Sequence, residues 1–174
     1  YIQCFSEFER IGDYAVNLTE NATELRERGL EFSAIARQEL QLLRRALDDI
    51  TDRADYAFTH RDVEAARHIE PVEEVVDDLV ATLRSNHTQR LRDGQCTVYA
   101  GLTFLDVLTN IERISDQCSN IGVYTVGLKD PDLLKSQHDY IRHLHQGEDQ
   151  QFNREYDKTH QDYYQDLDQI ESAE

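Results

Sequence analysis

From Cys4 to Leu25 the apolar residues fall at Cys4, Phe8, Ile11, Ala15, Leu18, Ala22 and Leu25, alternating steps of four and three. Residues spaced in this way share one stripe of an α-helix and cannot share one face of a strand. The same rhythm returns three times: Phe32, Ala36, Leu40, Leu43, Leu47, Ile50, Ala54 and Ala57; then Ile69, Val72, Val76, Leu79, Leu83, His87 and Leu91; then Phe104, Val107, Ile111, Ile114, Cys118 and Ile121. Only 7 Gly and 2 Pro interrupt 174 residues, so there are few places for such helices to stop. The pattern predicts an all-α chain with helices over about 2–28, 30–59, 61–92 and 97–126, and a fifth from about 132 onward. Pro71 either kinks the third helix or restarts it after a bend. Gly147 marks a break in the fifth, which is more polar and aromatic and is expected to pack less tightly than the rest.

Short connections make the second, third and fourth helices antiparallel neighbours, and each is apolar along one stripe. That combination predicts a three-helix bundle. The first helix repeats the fourth without a gap. "FERIGDYAVNL" (8–18) aligns on "IERISDQCSNI" (111–121), placing Glu9 on Glu112, Arg10 on Arg113, Ile11 on Ile114, Asp13 on Asp116 and Asn17 on Asn120. An internal duplication of three-helix units accounts for this. Residues 1–29 are then the last helix of a first unit, 30–127 a complete unit and 128–174 a helical extension. With its own unit incomplete, the first helix leaves an apolar stripe uncovered, and a homodimer is the expected way to bury it.

Each repeated phrase carries two acids four residues apart, one above the other on the helix face. Glu112 and Asp116 lie roughly 120–160° from the centre of their apolar stripe, as Glu9 and Asp13 do on theirs. "EPVEEVVDDL" supplies a third pair, Glu73 and Asp77, roughly 90–130° from its stripe; Glu74 and Asp78 beside it point almost directly away from the core. Like charges at this spacing destabilise an isolated helix by a few tenths of a kcal/mol. Two such pairs on adjacent antiparallel helices would gather four oxygen-donating side chains on one surface, a donor set for divalent cations or iron. A solvated acidic face with ion pairs to Arg10 or Arg113 fits the same spacing. A di-iron oxidase would place Glu-x-x-His motifs in the core, and none occurs here. His138, His143 and His145 lack clean ligand spacing and read as surface histidines, and Tyr156, Tyr163 and Tyr164 as packing residues.

Acids outnumber Lys plus Arg by 35 to 18, a formal net charge of −17, which argues against nucleic acid or an anionic membrane as the main partner. No window is long and apolar enough to span a bilayer. Cys4, Cys96 and Cys118 form no paired framework; Cys4 and Cys118 fall on apolar stripes and are expected to be buried free thiols, which favours a reducing, cytosolic setting. The chain has no Met and opens in what reads as mid-helix, so the reading is of a piece of a longer protein.

"ERIGDYAVNL" and "ERISDQCSNI" resemble the duplicated acidic signatures of the PhoU family, and "EEVVDDL", with Glu73 and Asp77 in register, resembles the acidic motif on the preceding helix of each PhoU repeat. The resemblance covers about residues 1–124. It implies two similar three-helix bundles that bind multinuclear iron or zinc clusters on their surfaces and regulate phosphate uptake and signalling. Carried onto this sequence, it implies Glu73, Asp77, Glu112 and Asp116 as metal ligands with Asn120 at the edge, and Glu9 and Asp13 as half of a second site. The wording around the motifs and the C-terminal extension are similar to the cytoplasmic PhoU-like tail of bacterial sodium–phosphate cotransporters. The resemblance therefore implies a non-enzymatic regulatory domain on the cytoplasmic side of the membrane, with a transmembrane transporter domain upstream and phosphate held through the metal. The alternatives are a stand-alone PhoU-type regulator of a phosphate ABC transporter and its sensor kinase, a carboxylate-bridged di-iron protein, and a structural helical scaffold.

Overall fold

The computed structural model describes residues 2–130, 133, 137–147 and 149–172, and these form helices with no strand among them. The long helices are α1 (Ile2–Glu27), α2 (Ala34–His60), α4 (Glu70–Arg92), α5 (Val98–Val126) and α7 (Gln150–Ser172); α3 (Val63–Ala66) and α6 (Gln137–His145) are short. The expected boundaries hold except at three places. The second helix starts at Ala34 because Ser33 caps it, its Oγ accepting from the Ala36 amide. The third is divided: Asp62 caps α3, and the chain restarts at Glu70 with Pro71 in the first turn, where its missing N–H leaves no bond unmade. The fifth is two helices parted at Gly147, whose φ of +80° suits glycine. The expected start at Asp132, with Leu134, lies outside the described residues.

α2, α4 and α5 make the three-helix bundle, and the core runs along its axis in two stretches. At one end Leu43, Ala46, Leu79, Leu83, Phe104 and Leu108 close on one another; at the other, Ile50, Ala57, Ile69, Val72, Cys118 and Ile121 do so. α5 touches α1, α2, α3 and α4. Gly122 lets α3 come close, since a Cβ there would meet Ile69 Cδ1 at 3.1 Å and the Ala66 carbonyl at 3.3 Å. α1 lies antiparallel along the outside of α5. The Asn17 amide donates to Asn110 Oδ1 (3.1 Å), the Asn120 amide to Glu7 Oε2 (3.4 Å), and Arg113 and Arg28 lie over the rings of Tyr14 and Tyr99. Phe8, Ile11 and Leu18 pack on the bundle, so much of the stripe expected to need a second copy is covered within the chain. Ile2, Phe5 and Val16 remain exposed.

As expected, the tail buries fewer side chains than the bundle helices, but it is firmly anchored. α7 lies across α2 and α4, with Leu167 1% exposed in the core and Phe152 buried at its start. Around these anchors the seam is polar: Tyr164 shares a hydrogen bond with Thr82 (2.7 Å), Asp166 pairs with Arg45, and Glu155 pairs with Arg53 and His68. Tyr156, Tyr163 and Tyr164 do pack, as expected. Leu167→Ala is expected to lower unfolding stability by about 2–3 kcal/mol, the low end for a buried leucine, because the half-buried tyrosines beside it can settle into the space. Urea unfolding followed by circular dichroism measures it. A loss below about 0.5 kcal/mol would mean α7 is not part of the cooperative unit.

Candidate metal centre

The apolar stripe of α4 turns Val72, Val76, Leu79 and Leu83 inward. Glu73 and Asp77, each one position beyond a stripe residue, are thereby swung toward α5. On α5, Ile111, Ile114, Cys118 and Ile121 face the core and Asp116 lies at their flank. One carboxylate oxygen each from Glu73, Asp77 and Asp116 lies within 4.8 Å of the other two. Glu73 is buried and Asp77 half-buried. Asp77 Oδ1 is shielded from solvent and has no hydrogen-bond partner.

Acids so close, with Glu73 buried and Asp77 half-buried, do not all ionise. Burial pushes Glu73 up to about 10, with Glu70, Asp77 and Asp116 adding to it. Asp77 is pushed up to about 7, by burial and then by the charges of Asp116 and Glu112. Asp116 is raised mainly by burial, while a hydrogen bond shared with Glu73 pulls the other way. Without a cation Glu73 holds a proton at neutral pH and Asp77 does so in part; a divalent cation would displace these protons and occupy the orphaned oxygen. The donors are all carboxylate oxygens, which suits iron or another hard cation better than zinc. Cys118 adds no thiolate, since burial pushes its thiol up to about 12.

The other residues expected at the site are placed differently. Glu112 stands apart from the trio and takes the Arg84 guanidinium at 3.0 Å, although its charge still reaches Asp77 and Asp116. Asn120 turns to Glu7 on α1. Glu9 and Asp13 are exposed on α1 and join no cluster of three potential ligands among the described residues. The first phrase lacks an opposing helix with a second acid pair, and spacing alone gathers nothing.

Four residues beside the centre, Glu70, Ser119, His145 and Tyr156, did not emerge from the acid spacing. Glu70 is buried one turn before Glu73; one oxygen accepts from Ser119 Oγ of α5 and the other faces His145 Nε2 of α6 at 2.9 Å. The second His145 nitrogen, Nδ1, lies 3.3 Å from Glu74. Both ring nitrogens thus face carboxylates, the arrangement of an imidazolium donating twice. The hydrogen bond to Glu70 holds His145 above its ordinary value against the opposing effect of burial. His145 is therefore no ordinary surface histidine, while the side chains of His138 and His143 lie outside those described. Next along α4, Asp78 accepts from the Tyr156 hydroxyl at 2.6 Å. The Glu74 and Asp78 side of α4, expected to face solvent, is covered by α6 and α7. An acid three before Glu73 could have flagged Glu70, but nothing local flags a histidine 75 residues further on.

Known proteins match the part of the chain that holds this centre. The chain is similar to the phosphate-specific transport system accessory protein PhoU homolog 1 of Thermotoga maritima, 25% identical over 116 residues, which are 67% of this chain and 49% of that protein. It is 30% identical over 118 residues to an uncharacterized protein of Deinococcus radiodurans, covering 67% of this chain and 42% of the relative. The chain thus spans about half the length, or less, of these relatives. No solved structure gives a significant match. The model of the PhoU domain matches residues 40–125, which include Glu73, Asp77 and Asp116.

Proposed function

We propose that the chain is a PhoU-type regulatory domain of phosphate transport that binds a cluster of iron, or of another hard divalent cation, through Glu73, Asp77 and Asp116. The observation that carries the reading is the close carboxylate trio, with Glu73 buried and one Asp77 oxygen shielded and orphaned, on helices inside the PhoU match. Support for the phosphate role comes from the Thermotoga relative, a phosphate-specific transport system accessory protein. The bare centre repels anions; a bound cation would supply the positive charge through which phosphate is held. Glu112, ion-paired to Arg84, is placed to join a second cation of the cluster if that pair opens. No helix among the described residues is long and apolar enough to cross a membrane. The reading assigns the domain to the cytoplasmic side, joined to a membrane-embedded sodium–phosphate transporter, with regulation and not catalysis as its task. It also assigns self-association to the exposed Ile2, Phe5 and Val16 of α1.

Metal content separates this reading from a purely structural acidic surface. Protein purified without chelators is expected to carry iron or another divalent cation, and Glu73→Gln/Asp77→Asn to lose at least about 90% of it, since removing two of three ligands removes most of the binding free energy. Equal and negligible metal in both proteins would sink the centre. The stand-alone regulator is distinguished by the intact gene: apolar stretches of about 20 residues encoded ahead of Tyr1 support the transporter tail.

A further inference from the structure

α4 bears two parallel rows of acids. Glu73 and Asp77 face Asp116 on α5, and Glu70, Glu74 and Asp78 face the C-terminal helices. The rows share one electrostatic field: Glu70 and Glu74 act on both Glu73 and Asp77, and Glu70 acts on Asp116 as well. Into this field α6 brings His145, which bridges Glu70 and Glu74 and also feels Asp77. Its ring rests on Phe152, the buried first anchor of α7, and Phe152 stacks in turn on Tyr156, which holds Asp78. The contact that partly neutralises the acids is thus the one that fastens the C-terminal segment to α4.

Resting on the metal-centre reading above, we propose that His145 is an internal counter-ion that competes with the cation, so that docking of α6 weakens occupancy of the centre and occupancy loosens α6. A cation at Glu73, Asp77 and Asp116 neutralises the same acids and repels the imidazolium. Coupling of two sites is reciprocal: whatever His145 takes from cation affinity, the cation takes from the docking of His145. The C-terminal segment then reads the state of the centre and passes it to the outer faces of α2 and α4. The sign separates this role from that of a ligand, because losing a ligand weakens binding whereas losing a competitor tightens it.

The test is a manganese(II) titration by calorimetry on the metal-free full chain at low ionic strength. Manganese(II) favours oxygen donors and reports on the carboxylates. His145→Gln is expected to bind about fivefold tighter or more than the parent, and His145→Lys, which keeps the charge, to bind within about twofold of it. In a parallel hydrogen-exchange measurement, saturating manganese(II) is expected to speed exchange across 137–147 in the parent. Equal affinity of the parent and His145→Gln overturns the proposal. Weaker binding by His145→Gln also overturns it and makes His145 a ligand. If the parent and Glu73→Gln/Asp77→Asn both fail to bind, the centre itself fails and the competition with it. Binding that is lost in that double variant but indifferent to His145 leaves the centre standing and removes only the coupling.

Discussion

Arg90→Ala is expected to destabilise the fold by about 3–5 kcal/mol, the cost of removing one partner of a buried ion pair. Glu39 is 0% exposed in the bundle, and Arg90 grips it with both guanidinium arms, at 2.9 and 2.6 Å. Asn86 adds a third donor at 3.2 Å. With Arg90 gone, the carboxylate keeps only the amide in a site lined by Phe104 and His87, which stack on each other. The structure must then either protonate Glu39 or open to let water in. Replacing both partners together, as in Glu39→Leu/Arg90→Met, is expected to return stability to within about 1 kcal/mol of the parent, because the desolvation cost disappears with the charges. Chemical denaturation of the three proteins measures it. A single variant that loses less than about 1 kcal/mol would mean that water already reaches Glu39.

The second large effect is a pH dependence that runs against the usual acid lability of proteins. Glu73 at about 10 and Asp77 at about 7 both lie above their ordinary carboxylate values in the folded chain. The folded state therefore binds more protons than the unfolded one in that range, and stability falls as pH rises. The Asp77 contribution is complete below its ordinary value near 3.8 and is lost as pH climbs through about 7. The Glu73 contribution persists further and is lost toward about 10. His87 acts in the opposite sense: burial lowers it, so its contribution is complete above its ordinary 6.5 and erodes as pH falls below that. In chelator-treated protein the melting temperature is expected to fall between pH 7 and pH 9, and Glu73→Gln/Asp77→Asn to flatten that slope. Divalent cation should flatten it in the parent and leave the double variant unmoved. Parallel pH profiles in the parent and the variant would show the trio to be hydrated and its carboxylates ordinary.

The bundle was legible because each long helix repeats its apolar step often enough to fix both helix and face. Pro71 signalled an interruption, but whether the helix bent or restarted depended on Asp62 capping a separate turn. The pairing of Glu73 and Asp77 with Asp116 was readable as angles on adjacent helices. The diversion of Glu112 was not, since it depends on Arg84 reaching across from α4. Glu9 and Asp13 show the limit of motif reading: their phrase matches ERISD, yet no second acid pair faces them among the described residues. The largest gap was the C-terminal segment. Its aromatic spacing predicted helix, but Leu167 finds its place only after α2 and α4 have formed a groove, and His145 finds Glu70 only after α6 has crossed α4.

The packing of α1 on α5 has one more consequence. The contact of Asn17 with Asn110 and that of Asn120 with Glu7 are the same contact written twice, because the alignment that takes residue 17 to 120 takes residue 7 to 110. The duplicated phrases therefore meet about a local twofold axis, which passes between Gly12 and Ser115. That rotation carries the side of α5 holding Leu108, Ser115 and Cys118, all at 0% exposure, onto the side of α1 holding Phe5, Gly12 and Ala15, which is open. A Cβ on Gly12 would touch nothing within 4 Å, whereas Ser115 is enclosed. The two faces are mates under that rotation and opposites in environment: one is covered by α2 and α4, and the other is open.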